Sequence, residues 1–75
     1  MDGAMINRNL LKSQMALRGV TAKALADAQS WSSTTTYRKI NGKAAFTAPE
    51  IQVCVELLTL DSETAGKIFF ADKMS

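Results

Sequence analysis

Side chains that can contact nucleic-acid bases are concentrated in one short stretch, residues 32–39. Ser33 and Thr34 lie near the start of a predicted helix, and Tyr37 and Arg38 follow one turn later on about the same face. Arginine can make a bidentate bond to guanine, and small hydroxyl side chains can contact several base edges. The stretch therefore has the chemistry needed to contact base edges in the major groove of duplex DNA.

Phosphate contacts can come from residues at both ends of the same stretch. The hydroxyl of Ser32 and the free amides of the first helical turn can hold a phosphate. Lys39 and Lys43 are placed for contacts with the DNA backbone. Ordinary structural roles remain open for all of these residues, because hydroxyl side chains cap many helices and Tyr37 can pack in a core.

The positive charges of the chain lie mostly in its first part. The net charge is +2, but residues 1–47 hold seven Lys/Arg and two acids, whereas residues 48–75 hold two Lys/Arg and five acids. This division is typical of a protein that meets a polyanion from one side. Solvated surface charges that cluster by chance would give the same pattern.

Five short helices must position these side chains, since apolar residues recur at helical spacing and strand-like alternation is absent. The first helix is predicted over residues 6–18, and Gly19 can end it in a left-handed conformation. The second begins at Thr21 and the third at Ser32, because both side chains can accept a hydrogen bond from the first turn. Trp31 is predicted to anchor the turn between them.

The second and third helices are predicted to form a braced pair. Leu25 and Ala26 face inward in the second helix, and the next inward position falls on Ala28 or Gln29. Thr36 points inward from the third helix. Two short helices joined by a tight polar turn have the form of a helix-turn-helix.

The fourth helix has the clearest start in the sequence. Thr47-Ala48-Pro49-Glu50 is a capping box with proline in the first turn. Cys54 lies in the apolar stripe that follows, so we expect a buried, unreactive thiol.

The fifth helix is predicted from about Asp61 to Phe70, and it ends in three consecutive large apolar residues. These cannot all face one core from a single helix. We expect the surplus to form a homodimer contact, and a fold-back of the tail over it is the alternative. The predicted dimer residues are Ile68, Phe69, Phe70 and Met74.

Length and composition indicate one small domain. Residues 6–70 form the predicted domain, residues 1–5 a disordered extension and residues 71–75 a tail. No apolar run approaches the roughly 20 residues that span a bilayer, and no signal peptide is evident. The chain has one cysteine and no histidine. We therefore expect no disulfide, metal, cofactor, small-molecule substrate or catalytic activity.

Beyond Met5 the chain resembles the phage-repressor-like helix-turn-helix proteins, the XRE or Cro/repressor family. The similar elements are Arg-Gly-Val-Thr at 18–21, Leu25-Ala26, Trp31-Ser32, Thr-Tyr-Arg-Lys-Ile-Asn-Gly-Lys at 36–43, Phe46-Thr47, Glu50-Ile51, Leu57-Leu58-Thr59-Leu60 and Ile68-Phe69-Phe70. These elements look like those of a subgroup from phages and prophages of Gram-positive bacteria.

The resemblance implies a compact five-helix, sequence-specific regulator of transcription. It would act in the cytoplasm of a bacterial host cell, commonly as a homodimer on an inverted repeat of operator DNA. By position, Ser33, Thr34 and Arg38 match base-reading residues, and Asn41 and Lys43 match backbone contacts. The complete set of predicted DNA-binding residues is Thr21, Lys23, Ser32, Ser33, Thr34, Thr35, Tyr37, Arg38, Lys39, Asn41 and Lys43.

A second function is consistent with the same sequence. Ala22 stands where the family usually has a phosphate-gripping glutamine, Gln29-Ser30 where a leucine and a turn glycine are usual, and Thr36 where an aliphatic residue is usual. Together with the modest net charge and the surplus apolar end, these differences favour a protein-interaction module. Such a module would bind another phage regulator instead of DNA, because a fold does not by itself confer an activity.

Overall fold

The computed structural model describes residues 6–70, and these form five α-helices without a strand. The helices are α1 (Arg8–Arg18), α2 (Ala22–Gln29), α3 (Ser33–Ile40), α4 (Ala48–Leu58) and α5 (Ser62–Phe69). The predicted all-α class and the five helices are confirmed. The predictions for residues 1–5 and 71–75 lie outside the described residues.

A polar side chain begins each helix. The side chains of Asn7, Thr21, Ser32, Thr47 and Asp61 each accept a hydrogen bond from an amide in the first turn of the following helix. Each such cap contributes about 1 kcal/mol. The predicted caps of α2, α3 and α4 are confirmed, and so is the capping box. The cap at Asn7 makes α1 begin later than the sequence pattern indicated.

Left-handed residues end three of these helices. Gly19 has the predicted positive φ of 69° after α1. Ser30 ends α2 with a φ of 61°, and Thr59 ends α4 with a φ of 53°. Side chains other than glycine are strained in this conformation. The chain nevertheless makes a tight turn at Ser30, because the Trp31 amide donates a hydrogen bond to the Ala26 carbonyl at 2.9 Å.

The core receives side chains from every helix. α2 packs on α3 and α4, and α1 packs on α3, α4 and α5. Full burial of one leucine or isoleucine contributes about 1.5–3 kcal/mol. The buried apolar residues are Leu11, Met15, Leu25, Ile40, Cys54, Leu58, Leu60, Ala65, Ile68 and Phe69.

Three aromatic rings connect the α2–α3 turn with α5. The rings of Trp31 and Phe46 meet edge to face with centroids 5.7 Å apart, and those of Phe46 and Phe69 do so at 5.1 Å. Edge-to-face pairs at this distance are favourable beyond their buried area. Trp31 is half-buried in the turn, as its predicted anchoring role requires.

Two of the four predicted dimer residues are in the core instead. Ile68 is 0% exposed and Phe69 is 7% exposed, because both pack against the neighbouring helices. Phe70 ends α5 and is 43% exposed, so it is the surplus apolar residue. Met74 lies outside the described residues. The predicted dimer contact through Ile68 and Phe69 is therefore wrong.

Gln29 is the inward-facing residue at the end of α2, whereas Ala28 is exposed. The side-chain nitrogen Nε2 of Gln29 donates to the Glu50 main-chain carbonyl at 2.8 Å and contacts the sulfur of Cys54 at 3.6 Å. Cys54 is fully buried, as predicted. Burial raises the pKa of the Cys54 thiol to about 11, and the nearby Glu50 charge acts in the same direction.

None of the helices in residues 6–70 combines the length and the apolar character that crossing a membrane requires.

Candidate nucleic-acid interface

The orientation of α3 is set by the short connection that precedes it. Residues 30–32 join α2 to α3, and the two helices pack on each other. The indole nitrogen Nε1 of Trp31 donates to Glu50 Oε2 at 3.2 Å, which ties the connection to α4. α3 is therefore held on both sides, by α2 and by the first turn of α4.

The inner face of α3 carries Thr36 and Ile40, both buried. Thr36 is only 1% exposed, and its hydroxyl donates to the Ser32 carbonyl at 2.8 Å. A buried hydroxyl without a partner would be costly, but here the preceding turn supplies the acceptor. The predicted inward direction of Thr36 is confirmed.

The outer face of α3 carries Ser33, Thr34, Tyr37 and Arg38, all exposed. Tyr37 is 56% exposed, so the alternative that it packs in the core is wrong. Within residues 6–70 the side chains of these four residues form no hydrogen bond or ion pair. Their donors and acceptors are therefore available to a partner.

Ser32 and Thr35 form a local pair at the start of α3. The hydroxyl of Ser32 accepts from the Thr35 amide and donates to the Thr35 hydroxyl, both at 3.1 Å. Ser32 is exposed and Thr35 half-buried. Their first role is thus to cap α3, and a phosphate at this end would meet a hydroxyl that already has two partners.

The position of Lys39 does not match its predicted role as a phosphate contact. Its Nζ atom is 2.5 Å from Glu50 Oε1, and the side chain is only 12% exposed. The same ammonium lies 5.0 Å from the ring centroid of Trp31, within cation–π distance. Lys39 points away from the outer face of α3, so the predicted contact of Lys39 with DNA phosphate is corrected to a structural contact.

Glu50 collects the hydrogen bonds that hold α3 against α4. Burial would raise the pKa of its carboxyl group, but this effect is outweighed by the hydrogen bonds from Lys39, the Thr47 amide and Trp31. The pKa of Glu50 is consequently held below its ordinary value of 4.5. At neutral pH the carboxylate is thus ionised and pairs with the ammonium of Lys39.

At the start of α2, Thr21 and Lys23 remain near the surface. The Thr21 hydroxyl accepts from the Ala24 amide at 3.1 Å. Lys23 is exposed and forms an ion pair with Asp27 at 3.5 Å, one turn away on the same helix. An exposed pair of this kind is worth about 0.5 kcal/mol or less, so Lys23 can be drawn to a stronger anionic partner.

An open cleft of about 370 Å³ separates the exposed sides of α2 and α3. Ala22 and Ala26 line one wall, and Trp31, Ser33 and Tyr37 line the other. The short side chains of the two alanines leave the ring of Tyr37 without a neighbour that would cover it.

The end of α3 is tied to α1 through Asn41. Its Oδ1 atom accepts from Lys12 Nζ at 2.8 Å, and its carbonyl oxygen accepts from Arg8 Nη1 at 3.3 Å. The sequence predicted a backbone contact at Asn41 but did not assign any role to Arg8 or Lys12. The signal was present in their spacing, because cations four residues apart share one side of a helix.

Lys43 follows Asn41 after a tight turn. Gly42 has a φ of 78°, and the Lys43 amide donates to the Arg38 carbonyl at 2.8 Å. The Lys43 side chain is exposed. The structure thus brings most of the predicted set to the α2–α3 side and separates Lys39 from it.

The described residues contain no group of His, Cys, Asp and Glu side chains that could hold a metal ion. Comparisons of the chain with models of known protein families, with curated proteins and with solved structures gave no match.

Proposed function

We propose that this protein is a sequence-specific, double-stranded-DNA-binding regulator of transcription, similar to a phage repressor or Cro switch. In this proposal α2 and α3 act as a helix-turn-helix and α3 enters the major groove of operator DNA, in the cytoplasm of a bacterial host. The observation that supports it most directly is the outer face of α3. Ser33, Thr34, Tyr37 and Arg38 are exposed there, on a helix held firmly by Trp31 and Glu50.

Arg38 is the residue on which base reading depends most. A guanidinium on the exposed face of a groove-bound helix can bond both acceptors of a guanine, which discriminates by about 1–3 kcal/mol. Ser33 and Thr34 lie in the turn before it and can contact neighbouring base edges. Lys43 and Lys23 would contribute contacts to phosphate, which position the protein without reading sequence.

The test starts from duplexes that the wild-type protein selects out of a random library. We expect Arg38→Ala to weaken binding to the selected duplex by about 1–3 kcal/mol and to relax the preference at one base pair. Arg18→Ala is the matched control, because Arg18 is an exposed arginine at the end of α1. We expect that control to preserve the base preference. If Arg38→Ala binds and discriminates like the wild type, α3 does not read bases.

A protein-interaction module is the second candidate function. The exposed ring of Tyr37 beside the open cleft between α2 and α3 favours it, since tyrosine is enriched in protein interfaces. In that case the partner would be another regulator, and the chain would not bind any duplex even at low salt. Binding that weakens as salt increases supports the DNA-binding proposal instead.

A further inference from the structure

We propose that a second cleft, between α1, the start of α2 and the end of α3, holds the sugar-phosphate backbone of the DNA strand beside the major groove. Lys12 supplies the charge, and Tyr37 and Asn41 position the phosphate. This inference rests on the function proposed above, and it extends the DNA contact to α1, to which the sequence assigned no binding residue.

The lining of this cleft matches the two parts of a nucleotide backbone. Its volume is about 440 Å³, and it is open to solvent. Met15, Val20 and Ile40 form an apolar floor, against which a deoxyribose can pack. Lys12 and Asn41 lie at the polar rim, where a phosphate would remain close to solvent.

Lys12 differs from three other lysines of the described chain in its partner. Lys23, Lys39 and Lys67 each pair with a carboxylate, which compensates the charge. Lys12 instead donates to the neutral side-chain amide oxygen of Asn41, and the guanidinium of Arg8 donates to the main-chain carbonyl of the same residue. Within residues 6–70, no carboxylate compensates Lys12 or Arg8.

Two uncompensated cations beside one neutral residue produce a local positive potential that favours an anion. A duplex supplies closely spaced phosphates, and each cation that meets one releases condensed counterions. Tyr37 contributes from the other side of the cleft, because its ring lines both this cleft and the one between α2 and α3. Tyr37 thus lies between the base-reading face and the backbone site.

The opening of the cleft depends on the start of α2. Ala22 lines the cleft with a methyl group only, so the space between α1 and Tyr37 is not filled. The cation that serves this space comes from α1, one turn before the buried Met15. Because the proposed partner of Lys12 is a phosphate, this contact positions the protein and does not read bases.

The experiment compares Lys12→Gln with Lys67→Gln in the full chain. Both variants remove one lysine charge by the same substitution, but Lys67 lies on α5 and does not line the cleft. The probe is a short random-sequence duplex together with a duplex selected by the wild-type protein. The slope of log K against log salt is measured on both, and thermal unfolding confirms that each variant is folded.

We expect Lys12→Gln to make this slope less steep by about 0.9, the value for one lost phosphate contact. Affinity should fall by the same factor on both duplexes, so that the preference between them is retained. Lys12→Arg should restore the slope, because it keeps the charge and the reach. Lys67→Gln should leave the slope unchanged.

Equal slopes for Lys12→Gln and Lys67→Gln would overturn the backbone site and leave the proposed DNA-binding function standing. Changed preference between the two duplexes would also overturn it, since a phosphate contact carries no sequence information. Absence of salt-dependent binding by the wild-type protein would overturn both proposals.

Discussion

Arg38 and Lys39 are neighbours in the sequence and carry the same charge, but they lie in opposite environments. Arg38 is exposed on the outer face of α3. Lys39 is mostly buried between the Trp31 ring and the Glu50 carboxylate. Successive residues on a helix point about 100° apart, so the packing of α3 directs one side chain to solvent and the other to α4.

A run of positive charges therefore does not by itself define a contact surface. Lys39 stabilises the helix that presents Arg38, and it does so through a partner on another helix. The supporting contacts and the presented side chains can therefore be tested separately.

The largest effect we expect comes from breaking the supporting contact. Glu50→Gln removes the carboxylate that Lys39 faces and weakens the bond from Trp31. We expect the free energy of unfolding to fall by about 2–3 kcal/mol, because a mostly buried ammonium loses its charged partner. Denaturant unfolding of Glu50→Gln measures this change.

Glu56→Gln is the matched control on the same helix. The Glu56 side chain is exposed, and within residues 6–70 it accepts a hydrogen bond only from Gln52, one turn earlier. Exposed substitutions of this kind usually change stability by about 0.5 kcal/mol or less. Similar losses in Glu50→Gln and Glu56→Gln would mean that the ion pair between Glu50 and Lys39 does not stabilise the fold.

The second effect is the dependence of stability on pH that the same ion pair produces. The pKa of Glu50 in the folded protein lies below its ordinary value of 4.5. The stabilisation by its carboxylate is therefore fully present above pH 4.5 and is lost as pH falls through the folded pKa. Asp61 acts in the same direction, because a hydrogen bond from the Thr64 amide lowers its pKa.

Thermal unfolding midpoints measured from neutral to acid pH test this expectation. The midpoint of the wild-type protein should decrease below pH 4.5, where the lowered pKa of Glu50 begins to matter. Glu50→Gln should show a shallower decrease, with the remainder due to Asp61. Parallel acid curves for the two proteins would contradict the ion pair as the source of the dependence.

The smallest effect concerns the turn that fixes which face of α3 points outward. Ser30 has a left-handed backbone, which glycine adopts without strain. We expect Ser30→Gly to stabilise the protein by about 0.5–1 kcal/mol, measured by denaturant unfolding. The outer face of α3 should keep its orientation, since the turn keeps its shape.

Ser13→Gly provides the control for this substitution. Ser13 is exposed within α1, where glycine is unfavourable by about 0.5 kcal/mol relative to serine. The two serine-to-glycine changes should therefore act in opposite directions. A loss of stability in both would show that the φ of Ser30 is not strained.

The helices could be predicted because their ends are encoded locally. Thr21, Ser32 and Thr47 are capping side chains within three residues of the amides that they satisfy, and Gly19 ends α1 at the expected place. The inward direction of Thr36 also followed from its spacing. No long-range information is needed for these features.

The errors come from contacts between distant parts of the chain. Lys39 meets Glu50 across a loop, and the helical pattern around Lys39 contains no sign of this partner. Phe69 is buried because Phe46 packs against it, whereas Phe70 at the end of α5 is not covered. A run of apolar residues shows that one must remain outside but not which one.

The outer face of α3 followed from the sequence, but the contribution of α1 did not. Thr34 and Arg38 share a face because they are four residues apart on the helix. Arg8 and Lys12 contact Asn41 at the end of α3, and this contact depends on how α1 crosses α3. The crossing of two helices is set by the packing of the whole core and not by either helix.

The burial of Cys54 makes selective chemical labelling feasible. With its pKa raised to about 11, the Cys54 thiol is almost entirely protonated at neutral pH. A cysteine introduced in the exposed loop after α3 would react with maleimide dyes far faster than Cys54. A single fluorophore could thus be attached next to the candidate interface without first removing the native thiol.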